Sequence, residues 1–414
     1  MNIKGEIKPP GDKSISHRAF MFGALAKGTT TITGCLESHD VISTRNAMAA
    51  LGAGIEKTGD AWKVNGGNLT EPKTVIDAGN SGTTARLISG ILAGLAGVST
   101  ITGDKSLVNR PMARVIEPLS RMGTIFLARG GKYLPMAVKG GSLKGISYDM
   151  NIASAQVKSS LLLAGLRADG TTTITEPAKS RDHTEKMLSG MGAKLDIKGN
   201  TVSITGRQEL FASNIDVPGD PSSAAFPAIW AAATPGSEIL IRDICLNPTR
   251  IGFIPVLKRM GADISIENIH KTAGEDVGDI LIKGSELTST TIGGEEIPSL
   301  IDEIPILTAA ACLAHGRTII RDAKELRVKE TDRIAAMVNG ISCLGARVEE
   351  TEDGMVIQGP LRLSSGRIKT FSDHRIAMSF YILSKACDID IDLDDRACVD
   401  ISFPGFFELM GSFC

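Results

Sequence analysis

The sequence predicts an α/β fold built from six copies of one unit, three in each of two domains. Three recurring features carry that expectation. A strand-like element opening on glycine appears as GTTTITGCL (Gly28), GVSTITGDK (Gly97), GTTTITEPA (Gly170), GSEILIRDI (Gly236) and GRTIIRDAK (Gly316), with a degenerate copy, DIDIDLDDR, from Asp388. An apolar, alanine-rich stretch of helical length precedes each copy, and an amphipathic helix ending in small residues follows it. Successive starts lie about 70 residues apart, so six units account for the chain.

The stretches ahead of the strands run Ser14–Lys27, Ser81–Gly97, Ala153–Ala168, Ser222–Ala233, Ser299–His315 and Asp373–Ala386. They are apolar on most faces, which predicts buried helices. The second helices end in ALGAG, RMGT, GMGAK, RMGAD and CLGAR, where glycine is the expected terminator. Short alternating segments such as Ile55–Lys57 with Trp62–Val64, or Lys194–Ile197 with Thr201–Ile204, are separated by Gly, Asn and Asp and predict hairpins. The sixth copy ends at its second helix, near Met410. Ile3–Lys8 alternates like a strand with no helix before it, and is expected to complete that last unit. The expected domains are therefore 14–219, with repeats 1–3, and 1–13 plus 220–414, with repeats 4–6, joined by two crossovers that act as hinges.

Composition narrows the function classes. Lys plus Arg (45) nearly balances Asp plus Glu (47), giving a net charge of −2. A nucleic-acid binder ordinarily shows a basic excess, so neither nucleic acid nor an anionic membrane is an expected partner. Seven cysteines at 35, 245, 312, 343, 387, 398 and 414 show neither CxxC spacing nor a zinc-like Cys/His cluster. Reduced thiols, and with them a cytoplasmic location, are expected. No leader is apparent after Met1, and apolar runs such as Leu87–Val98 are too short for a membrane span.

The six loops ahead of the buried helices are unlike the rest of the chain: PPGDKSISHR, DAGNSGTTAR, MNIASAQVKS, VPGDPSSAAF, EIPSLIDEIP and TFSDHRIAM. Each Ser, Asn or Asp there can serve simply as a helix cap. Their equivalent places in a repeat favour a shared ligand role, because helix N-termini and close backbone N–H groups suit anions. Lys13, Arg18, Lys158 and Arg375 add positive charge. Another charged cluster, Arg327, Lys329, Glu330 and Arg333, lies in LRVKETDR, with Arg110 in NRP and Arg181 in SRDH. GDKS lacks the Walker frame, and no GxGxxG follows a strand, so neither an ATP nor a dinucleotide site is supported.

PGDKSISHR, GNSGTTARL, NRPM, SAQVKSSLLLAG, DPSSAAF, LRVKETDR and SDHRIAMSF, in that order from residue 7 to about 410, resemble the signature set of 5-enolpyruvylshikimate-3-phosphate synthases. SRDHTEKML and RPMARV point to the branch often called class II. The resemblance implies an inverse α/β barrel, two globules of three βαβαββ units each. It implies carboxyvinyl transfer from phosphoenolpyruvate to the 5-hydroxyl of shikimate 3-phosphate, with no cofactor and no metal. Lys13, Ser14 and Arg18 would contact shikimate 3-phosphate, Lys13 also reaching phosphoenolpyruvate. Ser154, Ala155, Gln156 and Arg181 would hold the sugar acid and its phosphate. Arg110, Arg333 and Arg375 would clamp phosphoenolpyruvate, with Asn80 and Gly82 lining its pocket. Asp302 and Glu330 would be the acid/base carboxylates, supported by Lys329 and His374.

The chemistry suits these residue types. Both substrates are polyanions, and arginine's planar fork donates two parallel hydrogen bonds to carboxylate or phosphate. Addition–elimination needs one group to take the hydroxyl proton and another to deliver a proton to carbon. Two carboxylates in different environments can divide those tasks; Asp302 is assigned to the hydroxyl and Glu330 to the carbon. UDP-N-acetylglucosamine enolpyruvyl transferase shares the implied fold but uses a loop cysteine, and Arg110–Glu117 contains none. A non-catalytic anion-binding module is the rival from another class, and the intact Lys13, Asp302, Glu330 and Arg333 weigh against it. Some relatives place a lysine near the C-terminal SFP stretch; here Asp400–Pro404 has none. Glycine at 82, where some glyphosate-tolerant relatives carry alanine, predicts inhibition by glyphosate in competition with phosphoenolpyruvate. A monomer that closes when anions neutralise facing charges is the expected behaviour.

Overall fold

The six alanine-rich stretches are helices in the computed structural model, which describes residues 2–413. They are α1 (Lys13–Leu25), α2 (Gly82–Ala93), α3 (Ala155–Gly165), α4 (Pro221–Ala232), α5 (Ile304–Leu313) and α6 (His374–Cys387). Ten consecutive residues of α1, Ile15 to Ala24, are buried, and α4 is buried from end to end. Helices enclosed on every side have no polar face to keep in water, which is why this chain spends alanine there. Most begin on a capping side chain: Asp12, Ser81, Ser154, Asp220 and Asp373 each accept from a backbone N–H of the first turn. The capping reading of the loops is thus satisfied in the same residues that carry the motifs.

The stretch Ser299–His315 departs from expectation. It is a short helix Ile297–Leu300, a 3-10 turn Ile301–Glu303, and then α5. Pro305 has no N–H to continue the ladder, so the backbone must break before α5. Asp302 lies on that break.

The described residues form two compact units. One comprises Gly11–Val217 with Thr272–Glu275 and holds repeats 1–3. The other comprises the described residues of Met1–Pro10, Pro218–Lys271 and Asp276–Cys414 and holds repeats 4–6. Five four-stranded sheets share one order. In the second repeat, Ile76–Asp77 pairs parallel with Gly97–Thr102, which pairs antiparallel with Tyr133–Gly140, itself antiparallel to Ile125–Arg129. The third and fifth repeats are the same.

Repeats 1 and 4 obtain their leading strands differently. Lys4–Ile7 precedes α1 in the chain yet pairs parallel with Glu238–Cys245 of the fourth repeat. Asn214–Asp216 precedes α4 yet pairs with Gly28–Thr33 of the first. The expectation that the N-terminal strand completes the last repeat is therefore wrong. The sixth repeat has its own leading strand, Gly366–Ile368, paired with Ile391–Leu393. In place of a closing hairpin it has an aromatic cluster. Phe406 lies edge-on to Phe226 (5.7 Å between centroids) and Tyr381 (5.6 Å), and Tyr381 to Phe407 (5.0 Å). Such pairs add about 0.5–1.5 kcal/mol each beyond their burial.

Glycines end the closing strands for want of room. A Cβ on Gly66 would lie 2.1 Å from the Gly23 carbonyl oxygen, and one on Gly206 would lie 1.8 Å from that of Ala168. Among the described residues no helix is long and apolar enough to cross a membrane. The six described cysteines are unbridged, and burial pushes the Cys35 and Cys398 thiols up to about 12; Cys414 lies outside the described residues.

Candidate active site

In the repeat 1–3 unit the starts of α1, α2 and α3 are stitched together by side chains. Gln156 donates to Thr83 Oγ1 (3.0 Å) and accepts from Arg86 Nη1 (2.7 Å). Arg110 donates to Asn80 Oδ1 (2.6 Å) and Ser106 Oγ (3.1 Å). Gly82 opens α2 beside both guanidiniums: a Cβ there would be 2.9 Å from Arg86 Nη1 and 3.6 Å from Arg110 Nη1. Asn80, Gly82, Arg86, Arg110 and Gln156 thus form one cluster, with Ser154 and Ala155 a residue or two along the chain.

Arg18 joins α1 to the third repeat. Nε donates to Thr184 Oγ1 (2.7 Å), Nη2 to Ser159 Oγ (2.9 Å), and Nη1 back to the Ser14 carbonyl (2.9 Å). Arg181 stands three residues before Thr184 and is half-buried. Lys13 Nζ sits 2.5 Å from Asp40. One residue reads differently from expectation: Lys158 is no free cation near a ligand loop. It is buried, with Nζ 2.7 Å from both Glu176 and Glu185.

His17, on the same helix, is buried with Nδ1 2.6 Å from Thr44 Oγ1. Burial, then the charges of Lys13 and Arg18, holds its pKa well below the ordinary histidine value, so it is neutral, as fits a structural hydrogen-bonder.

In the repeat 4–6 unit a guanidinium organises the carboxylates. Arg333 is 2% exposed. It donates from Nε to Asp373 Oδ2 (2.8 Å), from Nη2 to Glu330 Oε2 (2.7 Å) and from Nη1 to Asp302 Oδ1 (3.3 Å). Burial by itself would lower its pKa, but Asp373, Glu330 and Asp302 together push it up, so the charge is fixed. Lys329 Nζ lies 3.2 Å from the same Asp302 oxygen. Asp302 and Glu330 retain 16% and 24% side-chain exposure, so both can meet a ligand that Arg333 scarcely can. Asp373 also caps α6 by accepting from the Arg375 N–H (2.9 Å), and His374, the first residue of α6, is buried. Arg375 Nη1 reaches Glu303 Oε1 (3.4 Å), which also accepts from Ser222 Oγ (2.5 Å). By contrast Arg327, grouped with this cluster in sequence, bonds Asp332 and Glu350.

Three participants were missed in the sequence: Arg86, Glu303 and Asp373. All lie inside quoted motifs, in GTTAR, IDEIP and SDHR. The available signal was a charge one helical turn from, or adjacent to, a chosen residue.

The EPSP synthase (3-phosphoshikimate 1-carboxyvinyltransferase) family profile matches residues 1–410. The chain is 51% identical over 415 residues to the 3-phosphoshikimate 1-carboxyvinyltransferase of Thermodesulfovibrio yellowstonii, covering 99% of this chain and 96% of that protein. It is 49% identical over 413 residues to that of Geotalea uraniireducens, with the same coverage. The solved EPSP synthase of Acinetobacter baumannii superimposes with a TM-score of 0.88 at 42% identity, covering 100% of this chain and 96% of that one. The enolpyruvyl transferase NikO of Streptomyces tendae, at 15% identity and a TM-score of 0.78, shares the fold. The chain belongs to the EPSP synthase (3-phosphoshikimate 1-carboxyvinyltransferase) family.

Proposed function

We propose that the chain divides carboxyvinyl transfer between its two side-chain clusters. The repeat 1–3 unit binds shikimate 3-phosphate through Lys13, Ser14, Arg18, Ser154, Ala155, Gln156 and Arg181. Arg110, Arg333 and Arg375 are assigned to phosphoenolpyruvate, with Asn80 and Gly82 lining its pocket. Asp302 accepts the proton of the 5-hydroxyl as that oxygen attacks C2 of phosphoenolpyruvate, and Glu330 delivers a proton to C3. Glu330 then takes a proton back from the resulting methyl group as the C2–O bond to phosphate breaks. Lys329 and Arg333 orient Asp302, and His374 supports Arg375 from the start of α6.

The observation that carries this reading is the joining of Asp302, Glu330 and Lys329 around one buried guanidinium. A general base and a general acid need different surroundings to differ in role. Asp302 has Lys329 and Arg333 at 3.2–3.3 Å, and Glu330 has Arg333 Nη2 at 2.7 Å. The proposed setting is a monomer in the cytoplasm, with glyphosate competing against phosphoenolpyruvate.

Phosphate release from phosphoenolpyruvate tests the assignment. It should require shikimate 3-phosphate and collapse in Asp302→Asn. Solvent-proton exchange at C3 should be lost in Glu330→Gln; normal exchange in that variant would reassign the carbon proton to another group.

A further inference from the structure

The proposed mechanism leaves several buried charges unused, Lys158 among them. Lys158, on the first turns of α3, is 1% exposed, and its ammonium is shared by Glu176 (2.7 Å) and Glu185 (2.7 Å), themselves 3% and 5% exposed. It also donates to the Ser180 carbonyl at 3.4 Å. Ser180 Oγ in turn donates to the other Glu176 oxygen. Burying ions is a poor way to gain stability, since apolar side chains of similar volume often do as well or better, so a retained cluster of this kind invites a role other than stability.

The partners of Lys158 point to that role. Glu176 follows the strand Thr171–Thr175, Ser180 immediately precedes Arg181, and Glu185 lies in the helix His183–Gly190. All three belong to one ten-residue span that carries Arg181 and Thr184, the latter bonded to Arg18. On the other side of Lys158, the first turn of α3 carries Gln156, and Ser159 bonds both Arg18 (2.9 Å) and Thr184 (2.6 Å). One ammonium therefore ties α3 to both ends of the loop in which Arg181 sits.

We infer that Lys158 is a positioning residue for the sugar phosphate: it pins the Glu176–Glu185 span so that Arg181 and Arg18 present their guanidiniums to one phosphate. The inference rests on the ligand assignment proposed above. Burial raises the pKa of Glu185 against the pull of Lys158, and its Oε2 is buried without a hydrogen-bond partner among the described residues, so Lys158 is the cation that compensates this buried carboxylate.

The test compares Lys158→Met, the isosteric Glu176→Gln and Arg181→Ala with the parent enzyme. It uses calorimetric binding of shikimate 3-phosphate alone, steady-state kinetics for both substrates, and melting temperature. Losing a hydrogen bond to a charged group predicts a Kd and KM for shikimate 3-phosphate about 10-fold or more higher in Lys158→Met. Glu176→Gln should show a rise of roughly 3–10-fold, while KM for phosphoenolpyruvate and kcat stay within about two-fold in both. Glu176→Gln decides the matter if Lys158→Met does not fold. Unchanged affinity in folded Glu176→Gln while Arg181→Ala is weakened overturns the inference alone, as does a parallel change in kcat and both KM values. Unchanged affinity in Arg181→Ala overturns the ligand assignment itself.

Discussion

The two clusters hold their cations differently. In the repeat 1–3 unit, Arg18, Arg86 and Arg110 donate to hydroxyls, amides and backbone carbonyls. Acceptors of that kind orient a guanidinium without cancelling its charge. Lys13 is paired with Asp40. In the repeat 4–6 unit, Arg333 faces three carboxylates. There one cation is surrounded by the protein's own anions, Asp302, Glu330 and Asp373. On the roles proposed above, the first arrangement suits collecting a substrate anion and the second suits orienting carboxylates that move protons.

The sharpest way to break the contrast is to remove a base. Asp302→Asn keeps size and shape but cannot take the hydroxyl proton. Loss of general-base assistance predicts kcat lower by about 10²–10⁴-fold, with the KM for shikimate 3-phosphate little changed. A defect confined to KM would place Asp302 with the binding groups instead.

A binding group should behave in the reverse way. Arg86→Met removes the guanidinium that fixes Gln156, a bond to a charged donor worth about 1.5–3 kcal/mol. The KM for shikimate 3-phosphate should rise by roughly 10–100-fold, with kcat within a few-fold. Gly82→Ala probes the neighbouring pocket more gently. Its new Cβ, 2.9 Å from Arg86 Nη1, meets the flexible end of a side chain. A displaced rotamer costs about 0.5–1.5 kcal/mol, so the KM for phosphoenolpyruvate should rise by roughly 2–10-fold and inhibition by glyphosate should weaken. Equal potency of glyphosate in parent and variant would remove Gly82 from that pocket.

How much of this was legible in the sequence depends on whether the signal is local. The buried helices and hairpins were, because apolar runs and turn residues act over a few positions. The capping loops were legible as well, since each repeat places them at the same helix start. The exchange of leading strands was not: Lys4–Ile7 and Asn214–Asp216 are four and three residues long, and only distant pairing decides which sheet they join. Lys158 shows the other limit. Its charge was visible beside Gln156, but helical spacing alone cannot say that two glutamates further along the chain enclose it. Arg86 lies within GTTAR, one helical turn past Gly82, and the sequence reading did not name it.

The smallest expected effect concerns His17, which joins the two roles on α1 because it stands between Lys13 and Arg18. Burial, reinforced by those two cations, keeps it neutral in the fold, and its Nε2 is buried without a hydrogen-bond partner among the described residues. An unfolded histidine takes up its proton near pH 6.5. Because the folded pKa is depressed, the stability this residue contributes is present above about pH 6.5 and is lost as pH falls toward the folded value. One proton bound only by the unfolded chain corresponds to a slope of up to about 1.4 kcal/mol per pH unit. His17→Gln can still reach Thr44 but cannot titrate. Denaturant melts of parent and variant from pH 7.5 down to 5 should therefore converge as pH falls, the parent losing its advantage below about pH 6.5. Groups that titrate in both proteins cancel in the difference. Parallel curves would mean that His17 accepts a proton inside the fold, and that the start of α1 tolerates a third positive charge beside Lys13 and Arg18.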